Sequence, residues 1–179
     1  LKHCNLLDEI VIATTILKED NFIENYITKK NVQCFRGSAL DVLDRYYKAA
    51  QKHQPQTVVR ITGDCPIIDP KLVDEVISLY ELKQVDYASN TKPPTFPDGL
   101  DFPLMTYECL ERVHRQAVLS SHRIHPFSYI FSYPEEFSIA NFVNDKNYGH
   151  IRLTLDYSED LHLLKEIFEC ISSTKISFV

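Results

Sequence analysis

Short runs rich in β-branched residues alternate with longer stretches of helical periodicity, and this alternation constrains the fold more than any other feature. The runs are EIVIAT (9–14), VQCF (32–35), TVVRIT (57–62), VDYASN (85–90), FSIANF (137–142) and IRLTLD (151–156), with a short extended piece near 101–105. Each is too short for a helix, and the more continuous ones suit strands buried on both faces. Between them, 18–29, 39–53, 70–82, 106–118 and 159–171 read as helices, and 124–133 as a weaker one. Their apolar residues recur at helical spacing: Phe22, Ile23, Tyr26 and Ile27; Leu40, Leu43, Tyr47 and Ala50; Leu72, Val73, Val76, Ile77 and Tyr80; Leu161, Leu164, Ile167 and Phe168. Ser38 is placed to cap the second helix and Pro70 to occupy the first turn of the third. Strand and helix in alternation predict one α/β domain over 1–179, a sheet with helices on both faces. Ligands of such sheets bind beyond the carboxyl ends of the strands, so the loops there hold the candidate functional residues.

Charge and composition remove several functions. Asp and Glu total 25 against 19 Lys and Arg, a formal net charge of -6, which leaves no basic footprint for nucleic acid or a membrane surface. No apolar run is long enough to span a bilayer, and no secretion signal is present. Cys4, Cys34, Cys65, Cys109 and Cys170 are odd in number and lack metal or redox spacing, as expected of thiols in a reducing cytoplasm. His122 and His125 match no zinc pattern, and neither a Gly-x-Ser-x-Gly elbow nor a Walker loop occurs.

Four loops carry the chemistry that remains. After the strand at 57–62 comes Thr62-Gly63-Asp64-Cys65-Pro66-Ile67-Ile68-Asp69-Pro70. Asp69, next to Pro70, suits a helix cap, whereas Asp64 faces the ligand side, where a hard carboxylate oxygen suits Mg²⁺. The run 151–156 ends in Asp156; Ser158 is expected to cap the last helix and Asp160 to be structural. Two aspartates at adjacent strand ends could share one Mg²⁺. In Gly37-Ser38-Ala39-Leu40-Asp41-Val42-Leu43-Asp44-Arg45, Arg45 lies one turn beyond Asp41, either a surface pair or a binding residue. Pro97-Asp98-Gly99-Leu100-Asp101, with Ser89 and Asn90 upstream, is either a solvated turn or a loop for sugar hydroxyls.

In order, DEIVIAT, GSALDVLDRYYKAA, VVRITGDCPIIDP, DYASNT, PDGLD and HIRLTLDYSEDL resemble the cytidylyltransferase family, in the branch of spore-coat polysaccharide biosynthesis proteins related to acylneuraminate and 3-deoxy-manno-octulosonate cytidylyltransferases. The resemblance runs from about residue 8 to 170. It implies a nucleotide-diphospho-sugar transferase fold, a Rossmann-like α/β/α sandwich. It also implies a cytoplasmic, Mg²⁺-dependent reaction of CTP with a sugar acceptor, an acidic sugar, giving a CMP-sugar and pyrophosphate, and it leaves a homodimer open. Carried over residue by residue, the metal aspartates fall on Asp64 and Asp156, with Arg152 catalytic beside them. The nucleotide side falls on Gly37, Ser38, Arg45 and Gly63, and the sugar side on Asn90, Asp98, Gly99 and Asp101. Family members open with a strand and a Gly/Arg/Lys-rich loop that grips the triphosphate, and this sequence starts after that segment. The expectation is therefore a domain incomplete at its N-terminus and inactive alone. Pro103 stands where relatives carry an acid, and His122-Arg123-Ile124-His125-Pro126 where they carry Glu-His-Val-Thr-Pro. The alternative reading is a degenerate, non-catalytic relative that binds sugar nucleotides or acts in assembly.

Overall fold

The computed structural model describes residues 1–174, with side chains through Cys170. In chain order its elements are β1 (Val11–Thr15), α1 (Asn21–Thr28), β2 (Gln33–Gly37), α2 (Val42–His53), β3 (Thr57–Val59), α3 (Pro70–Lys83), β4 (Tyr87–Ser89), β5 (Pro103–Thr106), α4 (Tyr107–Gln116), α5 (Ser120–Ile124), α6 (Ser128–Ser132), β6 (Ile139–Asn141) and α7 (Ser158–Thr174). The chain divides into two compact units. One comprises Leu1–Leu7, Val59–Leu104 and the chain from Ile139 onward; the other comprises Asp8–Val58 and Met105–Ser138.

In the unit that starts at Asp8, β1 and β2 pair in parallel, from Val11 opposite Gln33 to Thr15 opposite Gly37. Parallel neighbours need a crossover, which α1 supplies. The turn between β1 and α1 is pinned by the Asp20 carboxylate, which accepts from Thr14 Oγ1 at 2.8 Å and Thr15 N at 2.9 Å. Asp41, not Ser38, caps α2, accepting from Asp44 N at 2.9 Å. The helix therefore begins three residues later than expected, and Leu40 lies before it, exposed. In α1 only Ile27 is buried, while Phe22 and Tyr26 stack on each other in the open. Thr106 caps α4 by accepting from Cys109 N, and α4 buries Cys109, Leu110 and Val113. His114 of α4 meets Asp44 of α2 at 3.0 Å and stacks on Tyr47 with ring centroids 4.1 Å apart. Of the weak helix expected at 124–133 only α6 forms; α5 lies before it and ends at Ile124, because the residue before Pro126 is driven out of helical geometry.

The other unit is built on α3. All five residues of its predicted apolar stripe, Leu72, Val73, Val76, Ile77 and Tyr80, are buried. They share one core with Ala88, Leu100, Phe102, Leu104, Leu153 and Leu164, each large side chain contributing on the order of 2 kcal/mol by leaving water. Asp69 caps α3 through Lys71 N, Pro70 opens it, and Gln84 closes it in the left-handed conformation. Within this unit β4 and β6 pair in parallel, from Tyr87 opposite Ile139 to Ser89 opposite Asn141. Leu1, Cys4 and Leu7 pack on the same core, and the Asp74 carboxylate holds their segment by accepting from Asn5 N and Leu6 N.

Three expectations change here. Residues 151–156 form no regular strand; a single parallel bridge sets Arg152 opposite Asp98. Their backbone groups bond to loops rather than to a strand: Leu153 N donates to Asp98 O at 2.7 Å and Leu155 N to Asp64 O at 2.8 Å. At the start of α7 the Asp160 carboxylate, rather than Ser158, accepts the free amides of Asp156 and Tyr157, both at 2.9 Å. Along α7, Leu164 is buried and Ile167 packs on the core, but Leu161 and Phe168 are exposed. Among the described residues no helix is long and apolar enough to cross a membrane.

Candidate functional site

The extended segment Ile151–Asp156 gathers the acidic loops of one unit. The first is the turn after β3. Cys65 N bonds back to Thr62 O at 3.2 Å and the Cys65 thiol faces Thr62 Oγ1 at 3.2 Å, which sets Asp64 at the turn's tip. The Asp64 carbonyl then accepts from Leu155 N, so Asp64 and Asp156 flank one backbone hydrogen bond. The buried Cys65 thiol is pushed up to about 11, by burial first and by the Asp64 and Asp101 charges after it. It therefore stays a neutral packing group.

The second loop, 97–101, docks on the same segment. Asp98 N donates to Ile151 O at 2.9 Å, and Leu153 N donates to Asp98 O. Gly99 has φ +100°, a conformation side chains rarely adopt, and a Cβ there would lie 2.8 Å from the Leu153 carbonyl carbon. Glycine is required on both counts. Gly99 N donates to Asp101 Oδ1 at 2.9 Å. Asn90, fully buried after β4, donates through Nδ2 to Leu100 O at 2.8 Å and accepts through Oδ1 from Phe102 N at 3.0 Å. Its amide thus fixes the backbone on either side of Asp101.

The third group lies on the segment itself. Arg152 Nη1 donates to Thr154 Oγ1 at 2.9 Å, to Asp156 Oδ2 at 3.1 Å and to Asp160 Oδ2 at 3.0 Å, while Nη2 donates to Asp160 Oδ1. Thr154 Oγ1 donates to Asp156 Oδ2 at 2.6 Å. Hydrogen bonds from Arg152, then from the Asp156 amide, hold the Asp160 carboxyl down to about 2. Asp160 thus has the structural role expected of it.

Electrostatically, these loops crowd carboxylates. Asp98 has an exposed side chain, yet its carboxyl is pushed up by local desolvation first, then by Asp101, with Asp156 and Asp64 adding to it against the opposing pull of Arg152. Surplus negative charge of this kind favours a cation. Among the described residues no three His, Cys, Asp or Glu side chains group closely enough to form a complete protein cage. Two carboxylates without a cage are the donor set Mg²⁺ accepts when water and substrate oxygens complete its shell. Asp64 and Asp156 fit that description.

The remaining predicted residues lie in the other unit, except for exposed Gly63, which has open space where a Cβ would stand. Gly37 ends β2 with Phe35 and Arg45 packed where a side chain would be, at 2.9 and 3.0 Å. Ser38 Oγ accepts from Asp41 N at 3.0 Å, and Arg45 Nη1 donates to Ser38 O. Arg45 does not pair with Asp41; its Nε is buried without a hydrogen-bond partner. Asp41 pairs instead with Arg123, at 2.7 Å. Sequence reasoning passed over Thr154, although the alternation Arg152, Thr154, Asp156 places all three on one side of an extended chain.

The pattern of the family described as cytidylyltransferase matches residues 1–170. The chain is 36% identical over 170 residues to an uncharacterized protein of Methanocaldococcus jannaschii, covering 93% of this chain and 68% of that protein. It is 29% identical over 171 residues to the spore coat polysaccharide biosynthesis protein SpsF of Bacillus subtilis, covering 90% and 68%. Among solved structures, a cytidylyltransferase from Leptospira borgpetersenii serovar Hardjo-bovis superposes with a TM-score of 0.91 at 32% identity, over 99% of this chain and 75% of that one. A CMP:2-keto-3-deoxy-manno-octonic acid synthetase complexed with CTP shares the fold at 9% identity, with a TM-score of 0.64 over 96% of this chain and 84% of that one.

Proposed function

This chain belongs to the cytidylyltransferase family, and from that premise we propose that its protein joins CTP to a sugar hydroxyl. The hydroxyl oxygen forms a bond to the α-phosphorus, the bond from that phosphorus to the bridging oxygen breaks, pyrophosphate leaves, and the hydroxyl proton passes to solvent. The product is a CMP-sugar. The observation that carries this reading is the Leu155 to Asp64 hydrogen bond, which ties the loop of Asp64 to the segment that ends in Asp156 and also holds Asp98. Asp64 and Asp156 would hold Mg²⁺, which when bound neutralises phosphate charge. Asp98 and Asp101 would receive acceptor hydroxyls on a loop shaped by Gly99 and Asn90. Arg152 keeps Asp156 in place and tempers the local negative charge. Gly63, on the loop of Asp64, would lie on the nucleotide side.

The finer reading is an acidic sugar, activated in the cytoplasm for a surface polysaccharide. The likeness to SpsF, a spore coat polysaccharide biosynthesis protein, supports the polysaccharide part of it. The test is pyrophosphate release from CTP and Mg²⁺ across a panel of acidic and neutral sugars, with wild type beside Asp64→Asn. Turnover by wild type and its loss of at least about a hundredfold in the variant are expected, since a transition-state charge contact is removed. An Asp64→Asn protein with normal turnover would show the metal role to be wrong.

A further inference from the structure

We propose that Thr154 is a positioning residue: its hydroxyl locks one oxygen of Asp156 so that the other is presented to a divalent cation. This inference rests on the metal reading of Asp64 and Asp156 and adds to it a residue that does not itself touch the ion. Thr154 is buried beside an exposed Asp156. Its single hydroxyl proton goes to Asp156 Oδ2 at 2.6 Å, and its lone pairs face the Arg152 guanidinium at 2.9 Å. Arg152 Nη1 reaches the same Oδ2 at 3.1 Å. Every hydrogen bond to the Asp156 carboxylate therefore falls on Oδ2, and Oδ1 faces no donor among the described residues. Asp160, bonded to the same guanidinium through both its oxygens, keeps Arg152 from swinging away. The backbone contributes as well, because Leu155, between Thr154 and Asp156, is fastened to the Asp64 carbonyl. The carboxylate is left with little rotational freedom about its last side-chain bond.

A ligand pre-oriented in this way loses less entropy on binding than a free one, and removing such an outer partner typically weakens metal affinity by about 10- to 100-fold. A guanidinium alone cannot replace the hydroxyl. Arg152 also serves Asp160, whereas Thr154 donates only to Asp156.

The experiment is Mn²⁺ binding by electron paramagnetic resonance, with Mn²⁺ alone as probe, on wild type, Thr154→Ser, Thr154→Val and Asp156→Asn. Each variant's urea midpoint is recorded alongside. Thr154→Val, nearly isosteric, is expected to weaken Mn²⁺ by about tenfold or more. Thr154→Ser restores the hydroxyl and should stay within about twofold of wild type, and Asp156→Asn should bind least. If Val at 154 does not fold, Thr154→Ala is read in its place. In turnover, Thr154→Val should raise the half-saturating Mg²⁺ and leave KM for CTP unmoved. Wild-type Mn²⁺ affinity in Thr154→Val, with binding lost in Asp156→Asn, would overturn the positioning role while leaving the metal reading intact. Wild-type affinity in Asp156→Asn would overturn both.

Discussion

Gly99→Ala gives a quantitative test of how the 97–101 loop is held. The loop meets the segment 151–154 backbone to backbone, with Asp98 bonded on both sides of Arg152. A Cβ on residue 99 would lie 2.8 Å from the carbonyl carbon of Leu153, 2.9 Å from its oxygen and 3.0 Å from Thr154 N. These are backbone atoms, so no side chain can turn aside to make room. The residue also sits at φ +100°, where an L side chain costs about 1–2 kcal/mol. Forcing a methyl into packed backbone adds about 1–3 kcal/mol. The sum, about 2–5 kcal/mol, corresponds to a fall in Tm of about 4–20 °C for a chain of this length. Gly63→Ala is the matched control. That glycine lies in the neighbouring loop with nothing within 4 Å of its missing Cβ, so alanine should be neutral or stabilise by about 0.4–1 kcal/mol through the unfolded chain. Thermal unfolding followed by circular dichroism separates the two. A Gly99→Ala protein melting within about 2 °C of wild type would mean that the seam yields easily, and the close-approach argument would fail.

The remaining predictions concern charge. Asp160 has a folded pKa of about 2, below the unfolded value of about 3.9. Its contribution is therefore present above the unfolded value and lost as pH falls from about 4 towards 2. Asp160→Asn should destabilise the protein near neutral pH and flatten that acid limb in melts recorded between about pH 5 and 2; parallel limbs in wild type and variant would contradict the Arg152 pairing. At α2, Asp41→Ala removes both the cap on Asp44 N and the Arg123 pair, and should cost about 1–2 kcal/mol in urea unfolding. Asp41→Asn keeps a capping oxygen and should lose only the part-exposed ion pair, about 0.2–1 kcal/mol. Equal losses in the two variants would show that the cap contributes nothing.

What could be read in the sequence was what periodicity controls. The α3 stripe from Leu72 to Tyr80 is buried as predicted, because fourteen helical residues capped by Asp69 and Pro70 leave no competing arrangement. Shorter elements were less legible. Phe22, Tyr26, Leu161 and Phe168 sit at helical spacing yet lie exposed, since periodicity names a stripe without saying whether anything covers it. Of the two readings left open for Arg45, the pair with Asp41 does not form: Arg45 is near in sequence, but the partner of Asp41 is Arg123, which arrives from α5, 82 residues away. At the site, Asp64 could be singled out by its place after a strand, and Asp69 by the proline beside it. Asn90 had a polar loop and the family resemblance as its signals, both pointing to the sugar side, and nothing in its neighbourhood marked its amide as an internal clamp on Leu100 and Phe102.

The segment 151–156 shows why a misassigned element can still place the right residues. It reads as a strand among the short runs between helices, and its apolar and polar residues alternate, a pattern with physical content whether or not a ladder forms. Leu153 is buried and Leu155 packs against the same core, on one side. Arg152, Thr154 and Asp156 hydrogen-bond to one another on the other. A ladder would have committed the backbone groups of this segment to a neighbouring strand. Here they reach the loops of Asp98 and Asp64, through one parallel bridge to Asp98 and a single bond to Asp64, so the segment that packs Leu153 on the core also ties both carboxylate loops to its backbone. Both attachments are backbone bonds, so the arrangement on which the proposed chemistry depends is set by the path of this segment rather than by its side chains alone.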